Sequence, residues 1–526
     1  MPPWSATYTP RCLLPYIRAN SIFAPVSKAA AAAASIIRSC HHVSPADSPL
    51  ETDAVLQSLV NHEQQGIPDR AGAKGSDAFD LAGMQALLSA LGQPQTHFPA
   101  VHIAGTKGKG STAAFLSSML TQSQLCTGLY TSPHIRTIRE RIAIDREKIS
   151  EADYAGLAAQ DSAVIQQALT GSFGSLSHFE VLTALAFRHF QRNKVQLAVV
   201  ETGLGGVADA TNVFAPANLA CAIITAIDKD HLKALGGSIE AIAEAKAGIM
   251  KAKRPVVIAK QPYPEALQVL EQHAKRLDCP VIRPHDLVKL TAKETLHEHG
   301  SMFQMVAADP HGVPWLQPTD LKLSLLGQHQ LDNAAAAIAA AHVVREQGLG
   351  SITQESVVQG LQHTKLPGRL QVLQMQNAQK TPTNWLVLDG AHTAHSAAAL
   401  ADTVRAIFPD NPVALIIAMA DDKDHKAVMA ALRAVRPAVV VFTTVPIAGA
   451  TQRCGSPGTL VAHWQAAGLS RGQPRFRSRE VIQASMAAAL QKAESELEAQ
   501  QHPGGGVVVV CGSLHAVADA QKVLES

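Results

Sequence analysis

Short apolar runs alternate with longer segments of helical periodicity over most of the chain. In the first two thirds, the apolar runs predict buried strands at Val101–Ala104, Gly128–Tyr130, Leu197–Val200, Ala220–Ile227 and Pro255–Ala259. Apolar residues at helical spacing predict helices at Ser48–His62, Phe79–Leu91, Glu151–Thr170, Ser177–Phe190 and Ala334–Val343. Strands that alternate with helices indicate a mostly parallel sheet, and such sheets bind ligands outside the carboxyl ends of their strands.

The last third repeats the alternation on a smaller scale. Strands are predicted at Trp385–Leu388, Val413–Met419, Val439–Thr443 and Gly506–Cys511, with helices between them that include Ser478–Ala499. A Pro-Gly pair at Pro367 precedes this pattern and is typical of a hinge. The chain is therefore predicted to be an α/β protein with a large N-terminal domain, residues 47–366, and a smaller Rossmann-like C-terminal domain, residues 367–526.

Residues 1–46 have a different composition from the rest. They contain arginine, lysine, serine and an alanine run, and the first acidic residue is Asp47. A basic, Ser/Ala-rich and acid-free N-terminus is typical of an organelle transit peptide. We expect a mitochondrial protein, with a plastid or cytoplasmic location as alternatives; a disordered extension without a targeting function is a further alternative.

Composition limits the classes of partner. The 526 residues carry a net charge of +2, which gives no general attraction to nucleic acid or to an anionic membrane. The seven cysteines are dispersed without a CxxC pair, so neither a disulfide framework nor a zinc site is indicated. No apolar stretch approaches the ~20 residues of a bilayer span. We expect a soluble monomer with small-molecule substrates and no nucleic-acid or membrane partner.

The segment from Val101 to Leu116 combines an apolar strand, a glycine-rich turn and the beginning of a helix. The glycines allow a tight turn whose N–H groups can surround an anion, and the positive helix N-terminus favours negative charge. This pattern indicates a phosphate-binding loop, although Gly110 stands where the strict pattern has Ser or Thr. The residues concerned are Gly105, Thr106, Lys107, Gly108, Lys109, Gly110, Ser111 and Thr112. A glycine-rich turn without a ligand is the alternative.

Polar residues follow other predicted strands at the same sheet edge. Ser132, Glu201 and His231 could provide ligands for a magnesium ion that accompanies a nucleotide. Alternatively, Glu201 caps a helix or forms an ion pair, and His231 has a structural role. In the second domain, Asp389 could accept hydrogen bonds from a ribose or adenine, or it could cap the next helix. No GxGxxG follows the first strands of this domain, which argues against a NAD-dependent dehydrogenase.

Several separated motifs match one family in order. They are His102–Thr112, Thr131–His134, Glu140–Ile142, Phe179–Glu180, Glu201–Gly206, Asp209–Asn212, Asp230–His231, Lys246–Ile249, Gly327–Asn333, Pro367–Arg369 and Asp389–His392. This set resembles the dihydrofolate synthase/folylpolyglutamate synthase family of the Mur-ligase superfamily, over nearly everything from Phe79 onward. Ser177–Glu180, Lys233–Ser238 and Asp389–Thr393 look most like plant-type dihydrofolate synthases.

The resemblance implies a Mur-ligase-like fold with a phosphate-loop NTPase-like N-terminal domain. It implies ATP-dependent ligation of L-glutamate to dihydropteroate through an acyl phosphate, which gives dihydrofolate in folate biosynthesis. A folylpolyglutamate synthase, or a bifunctional enzyme that extends tetrahydrofolates, is the alternative within the class. From another class, a simple phosphate-loop ATPase, a kinase or a non-catalytic nucleotide-binding protein is possible.

The resemblance also assigns roles to residues. Catalytic roles fall to Lys109, His231 and Lys246, and two magnesium sites would draw on Ser132, Glu201, His231 and Lys246, the last as a carbamate. Asn333, Arg369 and Asp389 match nucleotide-binding positions, in addition to the phosphate loop. The residues that match substrate-binding positions are Phe179 and Glu180 for the pterin, with the segment Phe79–Met84, and His392 and Ser396 for glutamate or the nucleotide.

Overall fold

The computed structural model describes residues 56, 59–65, 68, 71–72, 80–170, 176–230, 232–298, 301–376, 382–447, 449, 451–469 and 476–525. These residues belong to one compact unit. The predicted transit peptide, most of the predicted helix Ser48–His62, and the residues Phe79 and His231 lie outside the described residues.

An eight-stranded sheet forms the centre of the first domain, in the order β4-β3-β2-β5-β1-β6-β7-β8. Its strands are β1 Ala100–Ala104, β2 Thr127–Tyr130, β3 Ile142–Ile144, β4 Glu147–Lys148, β5 Leu197–Glu201, β6 Leu219–Ile224, β7 Val256–Ile258 and β8 Val281–Ile282. The strands β2, β5, β1, β6, β7 and β8 pair in parallel, while β3 and β4 add an antiparallel edge. The predicted parallel sheet is confirmed, and its central strand β1 is fully buried, as expected for a sheet covered on both faces.

Helices cover this sheet on both sides. They are α1 His62–Gln65, α2 Ala82–Ala90, α3 Lys109–Gln122, α4 Glu151–Thr170, α5 His178–Arg192, α6 Ile239–Ala247, α7 Pro264–Arg276, α8 Pro284–Leu287, α9 His329–Glu346 and α10 Gln354–Gln362. The helix α3 packs against α9 and α10. The alanine-rich surface of α9 is almost entirely buried, and its small side chains let α3 and α9 approach closely.

A second, three-stranded antiparallel sheet was not predicted from the sequence. It consists of β9 Val288–Glu298, β10 Ser301–Pro310 and β11 Thr319–Leu323, in the order β11-β10-β9. Most side chains of β9 are exposed, so this strand lacks the apolar run that reveals the buried strands.

The second domain contains a six-stranded sheet in the order β12-β13-β17-β14-β15-β16. Its strands are β12 Gln371–Gln376, β13 Pro382–Leu388, β14 Val413–Ile417, β15 Val439–Phe442, β16 Arg479–Ile482 and β17 Val507–Cys511. Its helices are α11 Ala394–Ile407, α12 His425–Leu432, α13 Pro457–Leu469, α14 Met486–Glu498 and α15 Leu514–Glu525. All pairs are parallel except β12 with β13, in agreement with the predicted Rossmann-like arrangement.

The predicted helix Ser478–Ala499 is wrong in its first part. Residues Arg479–Ile482 pair with β15 as the edge strand β16. The helix α14 begins only at Met486, where the Ser485 hydroxyl accepts a hydrogen bond from the Ala488 N–H at 3.3 Å. This capping serine ends the strand segment and begins the helix.

The two domains touch beyond the linker between them. Arg136, in the loop after β2, forms an ion pair with Glu525 of α15. Ile135, from the same loop, packs against the apolar core of the second domain. None of the helices in the described ranges combines the length and apolar character that a bilayer span requires.

Candidate functional site

The glycine-rich turn after β1 is held tightly against the neighbouring strand. The N–H groups of Thr106 and Lys107 both donate to the Ala226 carbonyl, at 2.9 and 3.0 Å. Gly105 has a φ of +154°, and a Cβ at this position would lie 1.8 Å from Thr225 Oγ1. Only glycine fits this close approach.

The next glycine of the turn, Gly108, adopts a φ of +90° at the N-cap of α3. The first N–H groups of a helix have no partner within it, and they carry its positive dipole end. The beginning of α3 can therefore bind a phosphate. The N–H groups of Thr106 and Lys107 cannot do so in this conformation, because the Ala226 carbonyl accepts both of them.

Glu201 lies at the carboxyl end of β5, directly beside this turn. Its Oε1 is 3.7 Å from Lys109 Nζ, and its Oε2 accepts a hydrogen bond from the Ser132 N–H at 3.2 Å. Burial raises the pKa of Glu201, while Lys109, the Ser132 N–H and Arg369 act in the opposite direction. The structure therefore brings together three residues that the sequence predicted at one edge.

The oxygen atoms available beside the phosphate loop provide part of the ligand set of a hard cation. Glu201 offers a buried carboxylate, and Ser132 lies next to it, so oxygen donors of the kind that magnesium prefers are present. Among the residues described, which omit His231, no three His, Cys, Asp or Glu side chains are grouped for a metal ion. A magnesium site would therefore need phosphate oxygens, His231 or a modified Lys246 as further ligands.

Lys246, on α6, contacts the backbone of the phosphate loop. Its Nζ donates a hydrogen bond to the Gly105 carbonyl at 2.7 Å, and its side chain is buried. Burial, with a smaller contribution from the charge of Lys109, lowers the pKa of Lys246 to about 7. In this state Lys246 is a hydrogen-bond donor and no metal ligand. The lowered pKa nevertheless provides the neutral amine that carbamylation requires.

Residues of the second domain approach the same loop. Within the first domain, the loop residue Lys107 forms an ion pair with Asp230, whose Oδ2 lies 2.8 Å from Lys107 Nζ. In the second domain, burial lowers the pKa of His392 to about 4, and the charges of Lys107, Lys423 and Asp230 also act on this residue. The Nδ1 atom of His392 lies 2.8 Å from the Gly390 carbonyl oxygen. The loop before α11 therefore faces the loop after β6.

Nearby, His395 Nδ1 lies 3.7 Å from Asp228 Oδ2, which is a further contact between the domains. Ser396 is part of the capping box of α11, in which the Thr393 and Ser396 side chains each accept a hydrogen bond from the other residue's backbone N–H. The structure thus gives the Ser396 hydroxyl a structural role in the helix cap.

The three predicted nucleotide-binding residues outside the loop also converge here. Asn333, on α9, lies directly over the loop, because a Cβ on Gly108 would be 2.1 Å from Asn333 Oδ1. Burial raises the pKa of Asp389 and the charge of Arg369 lowers it. Asp389 accepts hydrogen bonds from the N–H groups of Leu370 and Ala391, at 2.7 and 2.8 Å. The capping residue of α11 is Thr393, so Asp389 does not cap that helix.

The predicted pterin-binding residues lie at the beginning of α5. Gly203 lies under the ring of Phe179, since a Cβ there would be 2.7 Å from Phe179 Cζ. The Tyr130 ring is 6.0 Å from the Phe179 ring. The Glu180 carboxylate accepts hydrogen bonds from the N–H and hydroxyl of Ser177, at 2.8 and 2.7 Å, and so completes a capping box in which Ser177 is the N-cap. Met84 is buried in the apolar core and is not open to a ligand.

A buried arginine near this region was not predicted from the sequence to have a role. Arg141 is 2% exposed, pairs with Glu63, and donates from Nε to His134 Nδ1 at 2.9 Å. Burial raises the pKa of Glu63, but the contact with Arg141 outweighs it and the net shift is downward. The quoted motif Glu140–Ile142 contains Arg141. Only the fold shows that its partners come from two other segments.

A second network, of buried hydrogen bonds around Thr211 and Asp209, was also not predicted from the sequence. The Thr211 hydroxyl donates to Asp209 Oδ1 at 2.5 Å and lies 2.7 Å from His102 Nε2. Asp209 also accepts the N–H of Leu204 at 2.8 Å. This buried chain of hydrogen bonds fixes the loop after Glu201 to the strand β1 that precedes the phosphate loop.

Two family models match the chain, each over one of the domains. The model described as "Mur ligase middle domain" matches residues 103–341, and the one described as "Dihydrofolate synthetase, C-terminal domain" matches residues 371–523. The predicted Mur-ligase-like fold class is confirmed.

Two curated relatives match over most of their own length. The dihydrofolate synthase/folylpolyglutamate synthase of Bacillus subtilis is 34% identical over 360 residues, which is 68% of this chain and 80% of that relative. The probable dihydrofolate synthetase of Schizosaccharomyces pombe is 33% identical over 351 residues, 66% of this chain and 78% of the relative.

Solved structures share the whole two-domain arrangement. The folylpolyglutamate synthase of Mycobacterium tuberculosis, complexed with ADP and AMPPCP, has a TM-score of 0.73 at 28% identity and covers 91% of this chain and 98% of its own. A structure described as an "FPGS-AMPPCP-folate complex" has a TM-score of 0.69 at 28% identity and covers 90% and 99%.

Proposed function

The chain belongs to the dihydrofolate synthase/folylpolyglutamate synthase family of ATP-dependent ligases, and from this premise we propose that it joins L-glutamate to dihydropteroate. The observation that supports the choice of dihydropteroate is the match of residues 371–523 to the family model described as a dihydrofolate synthetase C-terminal domain. The product would be dihydrofolate.

The reaction needs two successive substitutions. A carboxylate oxygen of dihydropteroate attacks the γ-phosphorus of ATP, ADP leaves, and an acyl phosphate forms. The amino group of glutamate then attacks the acyl carbon, phosphate leaves and the nitrogen loses a proton. A carboxylate is a poor acyl donor until its oxygen is part of a good leaving group, so the first step is necessary.

Residues of the phosphate loop hold the nucleotide in this proposal. The beginning of α3 binds phosphate oxygens through its free N–H groups, and Lys109 neutralises the β- and γ-phosphates. Asn333, Arg369 and Asp389 bind the rest of the nucleotide. Structures of relatives complexed with ADP and AMPPCP support ATP as the nucleotide.

Magnesium is the cation we propose for this site. Ser132, Glu201, His231 and a carbamylated Lys246 would hold up to two ions, which neutralise phosphate charge and orient the transferred group. The proposal is supported by the buried carboxylate of Glu201 beside Ser132, and by the lowered pKa of Lys246.

The acceptor and glutamate would lie on opposite sides of the phosphate loop. Phe179 provides an aromatic face for the pterin, and Glu180 lies beside it. His392 approaches the loop from the second domain, and we assign it, together with Ser396, to the binding of glutamate. We propose that the domain boundary lies at residue 366, so that these two groups of residues belong to different domains.

A folylpolyglutamate synthase, alone or combined with the first activity, is the second candidate. The Bacillus subtilis relative carries both names, and the Lacticaseibacillus casei relative, 31% identical over 440 residues, is named folylpolyglutamate synthase alone. The motifs that are shared across the family do not distinguish the acceptor.

The assay that separates the candidates uses purified protein with Mg-ATP and glutamate. We expect release of ADP and phosphate, with formation of dihydrofolate, only when dihydropteroate is added. Equal turnover with tetrahydrofolate would replace the single activity with the bifunctional one. No turnover with either acceptor would contradict the ligase proposal.

We also propose a mitochondrial location and a monomeric state. The human relative named "Folylpolyglutamate synthase, mitochondrial", 32% identical over 352 residues, supports the location. A fluorescent protein fused behind residues 1–46 should enter mitochondria, and plastid or cytoplasmic fluorescence would reject this location. Light scattering of the purified chain measures its oligomeric state.

A further inference from the structure

The loop that carries Ser132 has its own set of hydrogen bonds. We define the Ser132 loop as residues 131–141, between β2 and β3. Its two ends are joined, because the Thr131 N–H donates to the Arg141 carbonyl at 3.1 Å. The Glu140 carboxylate accepts hydrogen bonds from three backbone N–H groups of the same loop, those of Ile135, Arg136 and Thr137. The loop is therefore a closed turn with Arg141 at its base.

The side chain of Arg141 fixes this turn from inside the protein. It is 2% exposed, and its Nε donates to His134 Nδ1 at 2.9 Å, two residues after Ser132. Its Nη1 and Nη2 donate to Glu63 Oε1 and Oε2, at 2.9 and 2.5 Å. Two parallel bonds between a guanidinium and a carboxylate set the orientation of both groups. Glu63 therefore determines the direction in which Arg141 presents its Nε to the loop.

Glu63 belongs to a segment far away in the chain. It lies on α1, 78 positions before Arg141, and its side chain is 45% exposed. The same segment is attached to the beginning of α5, where the His178 N–H donates to the Val60 carbonyl at 3.0 Å. The segment thus contacts the helix that carries Phe179, and it supplies the counter-charge of a buried arginine.

The charge of Arg141 also reaches the proposed metal ligands. Burial lowers the pKa of Arg141, but Glu63 outweighs this effect, and smaller contributions from Tyr130 and Glu201 add to the net upward shift. An arginine without Glu63 would keep its charge in the interior, where charges interact strongly. It would then attract Glu201 and repel a magnesium ion beside Ser132, so both effects would weaken cation binding.

We propose that Glu63 is a positioning residue for the ligase reaction. Its carboxylate holds Arg141, so that the Ser132 loop keeps its shape and Glu201 remains available to the cation. This inference rests on the proposed function, in particular on magnesium at Ser132 and Glu201. Glu63 acts through Arg141 and is assigned no contact with a substrate. Replacing a residue that orients metal ligands typically weakens metal binding by about 10–100-fold.

The first test needs neither the metal nor ligase activity. Backbone hydrogen exchange of the full chain without ligands should be faster at residues 131–141 in Glu63→Gln than in the wild type. Glu63→Asp keeps the charge on a shorter side chain and should give intermediate rates. Wild-type exchange across the Ser132 loop in Glu63→Gln would overturn the proposal.

The second test measures cation binding. Calorimetric titrations with AMPPCP at increasing magnesium concentrations, without acceptor or glutamate, give the concentration needed for half-maximal binding. This concentration should rise about tenfold in Glu63→Gln and less in Glu63→Asp. In steady-state kinetics with both substrates, the magnesium requirement should rise by the same factor, and saturating magnesium should restore most of kcat.

Asp161→Asn is the matched control for loss of stability. Asp161 is also a buried carboxylate in an ion-pair network, and its partners Arg188 and Arg192 lie at the end of α5 opposite to Phe179. This variant should lower Tm, as Glu63→Gln does, but keep wild-type exchange at residues 131–141 and the wild-type magnesium requirement. Equal rises of the magnesium requirement in both variants would mean that lost stability causes the effect, and would overturn the role of Glu63.

Failure of this inference differs from failure of the proposed function. A wild-type chain that binds no AMPPCP at any magnesium concentration would contradict the nucleotide and metal site itself. A wild-type chain that binds it, together with an unchanged magnesium requirement in Glu63→Gln, would contradict the positioning role alone.

Discussion

Lys246 combines burial with a position under the phosphate loop. The interior disfavours its charged form and so does nearby Lys109, which together bring its pKa to about 7. Near neutral pH a substantial fraction of the side chain is therefore a neutral amine. Only this form can attack carbon dioxide, with loss of a proton, to become a carbamate. The residue can thus change from a hydrogen-bond donor to Gly105 into an anionic ligand.

Replacing this lysine tests its role in the reaction. Lys246→Ala should reduce kcat by at least about a hundredfold, and short carboxylates such as acetate should restore part of the loss by occupying the vacated space. The measurement is the ADP release rate with and without the added carboxylate. Lys251→Ala is the matched control, because Lys251 is also partly buried but donates to Asn212 away from the loop. Unchanged activity in Lys246→Ala would reject the role.

The lowered pKa of Lys246 also predicts how the free energy of unfolding depends on pH. Between about 7 and the ordinary lysine value of 10.5, the unfolded chain keeps this proton and the folded chain has released it. In buffer free of carbon dioxide, the free energy of unfolding should therefore rise with pH in the wild type relative to Lys246→Met. The slope should not exceed about 1.4 kcal/mol per pH unit. Denaturant titrations at several pH values measure it, and a difference that falls with pH would contradict the assignment.

At the level of elements, the buried strands were predictable and the exposed ones were not. The apolar runs of β1, β5 and β6 are buried along their whole length, so hydrophobicity alone reveals them. The strand β9 is mostly exposed, and its pairing with β10 depends on backbone hydrogen bonds that sequence periodicity does not register. The strand β16 was predicted as part of the following helix because only three residues, Gln483, Ala484 and Ser485, separate the two elements.

The phosphate loop was also predictable as an element, because its tight turn requires glycine. The structure shows the physical reason for this requirement at Gly108. Gly108→Ala would place a methyl group 2.1 Å from Asn333 Oδ1, at a φ of +90°. We expect ATP affinity to fall by at least about tenfold, because either the loop or Asn333 must move. Calorimetric titration with ATP or AMPPCP measures the change.

A matched glycine separates strain from the contact with Asn333. Gly92 has a φ of +78° and nothing within 4 Å of an added Cβ. Gly92→Ala should lower stability by about 1 kcal/mol through its backbone conformation and leave ATP affinity unchanged. Equal losses of ATP affinity in both variants would show that Asn333 has no part in the effect.

Across the whole molecule, the sequence predicted candidate site residues but not the residues that contact them. Asn333 is more than two hundred positions from Gly108, yet its amide lies over that glycine. The charge of Arg369 lowers the pKa of both Glu201, the last residue of β5, and Asp389, which follows β13 of the other sheet. Such contacts depend on how two separate sheets are joined, and local periodicity contains no information about that arrangement. The resemblance to a family could assign roles to such distant residues as predictions, because solved structures of relatives share the two-domain arrangement.

Gly368 lies where the two domains are joined, so it tests how their arrangement affects catalysis. It has a φ of +68°, and an added Cβ would lie 2.8 Å from Ile135 Cδ1 and 3.2 Å from Val517 Cγ1. Gly348, with a φ of +70° and no atom within 4 Å of an added Cβ, carries the same backbone strain without these neighbours. Both alanine variants should lose about 1 kcal/mol of stability.

Only Gly368→Ala should impair the reaction, because Ile135 belongs to the loop that contains Ser132 and Val517 belongs to the second domain. Moving either side chain alters the distance between the phosphate loop and the residues that approach it from α11. Steady-state kinetics should show kcat reduced several-fold in Gly368→Ala and unchanged in Gly348→Ala. If both variants keep full kcat, the packing at this linker does not control the approach of the two domains.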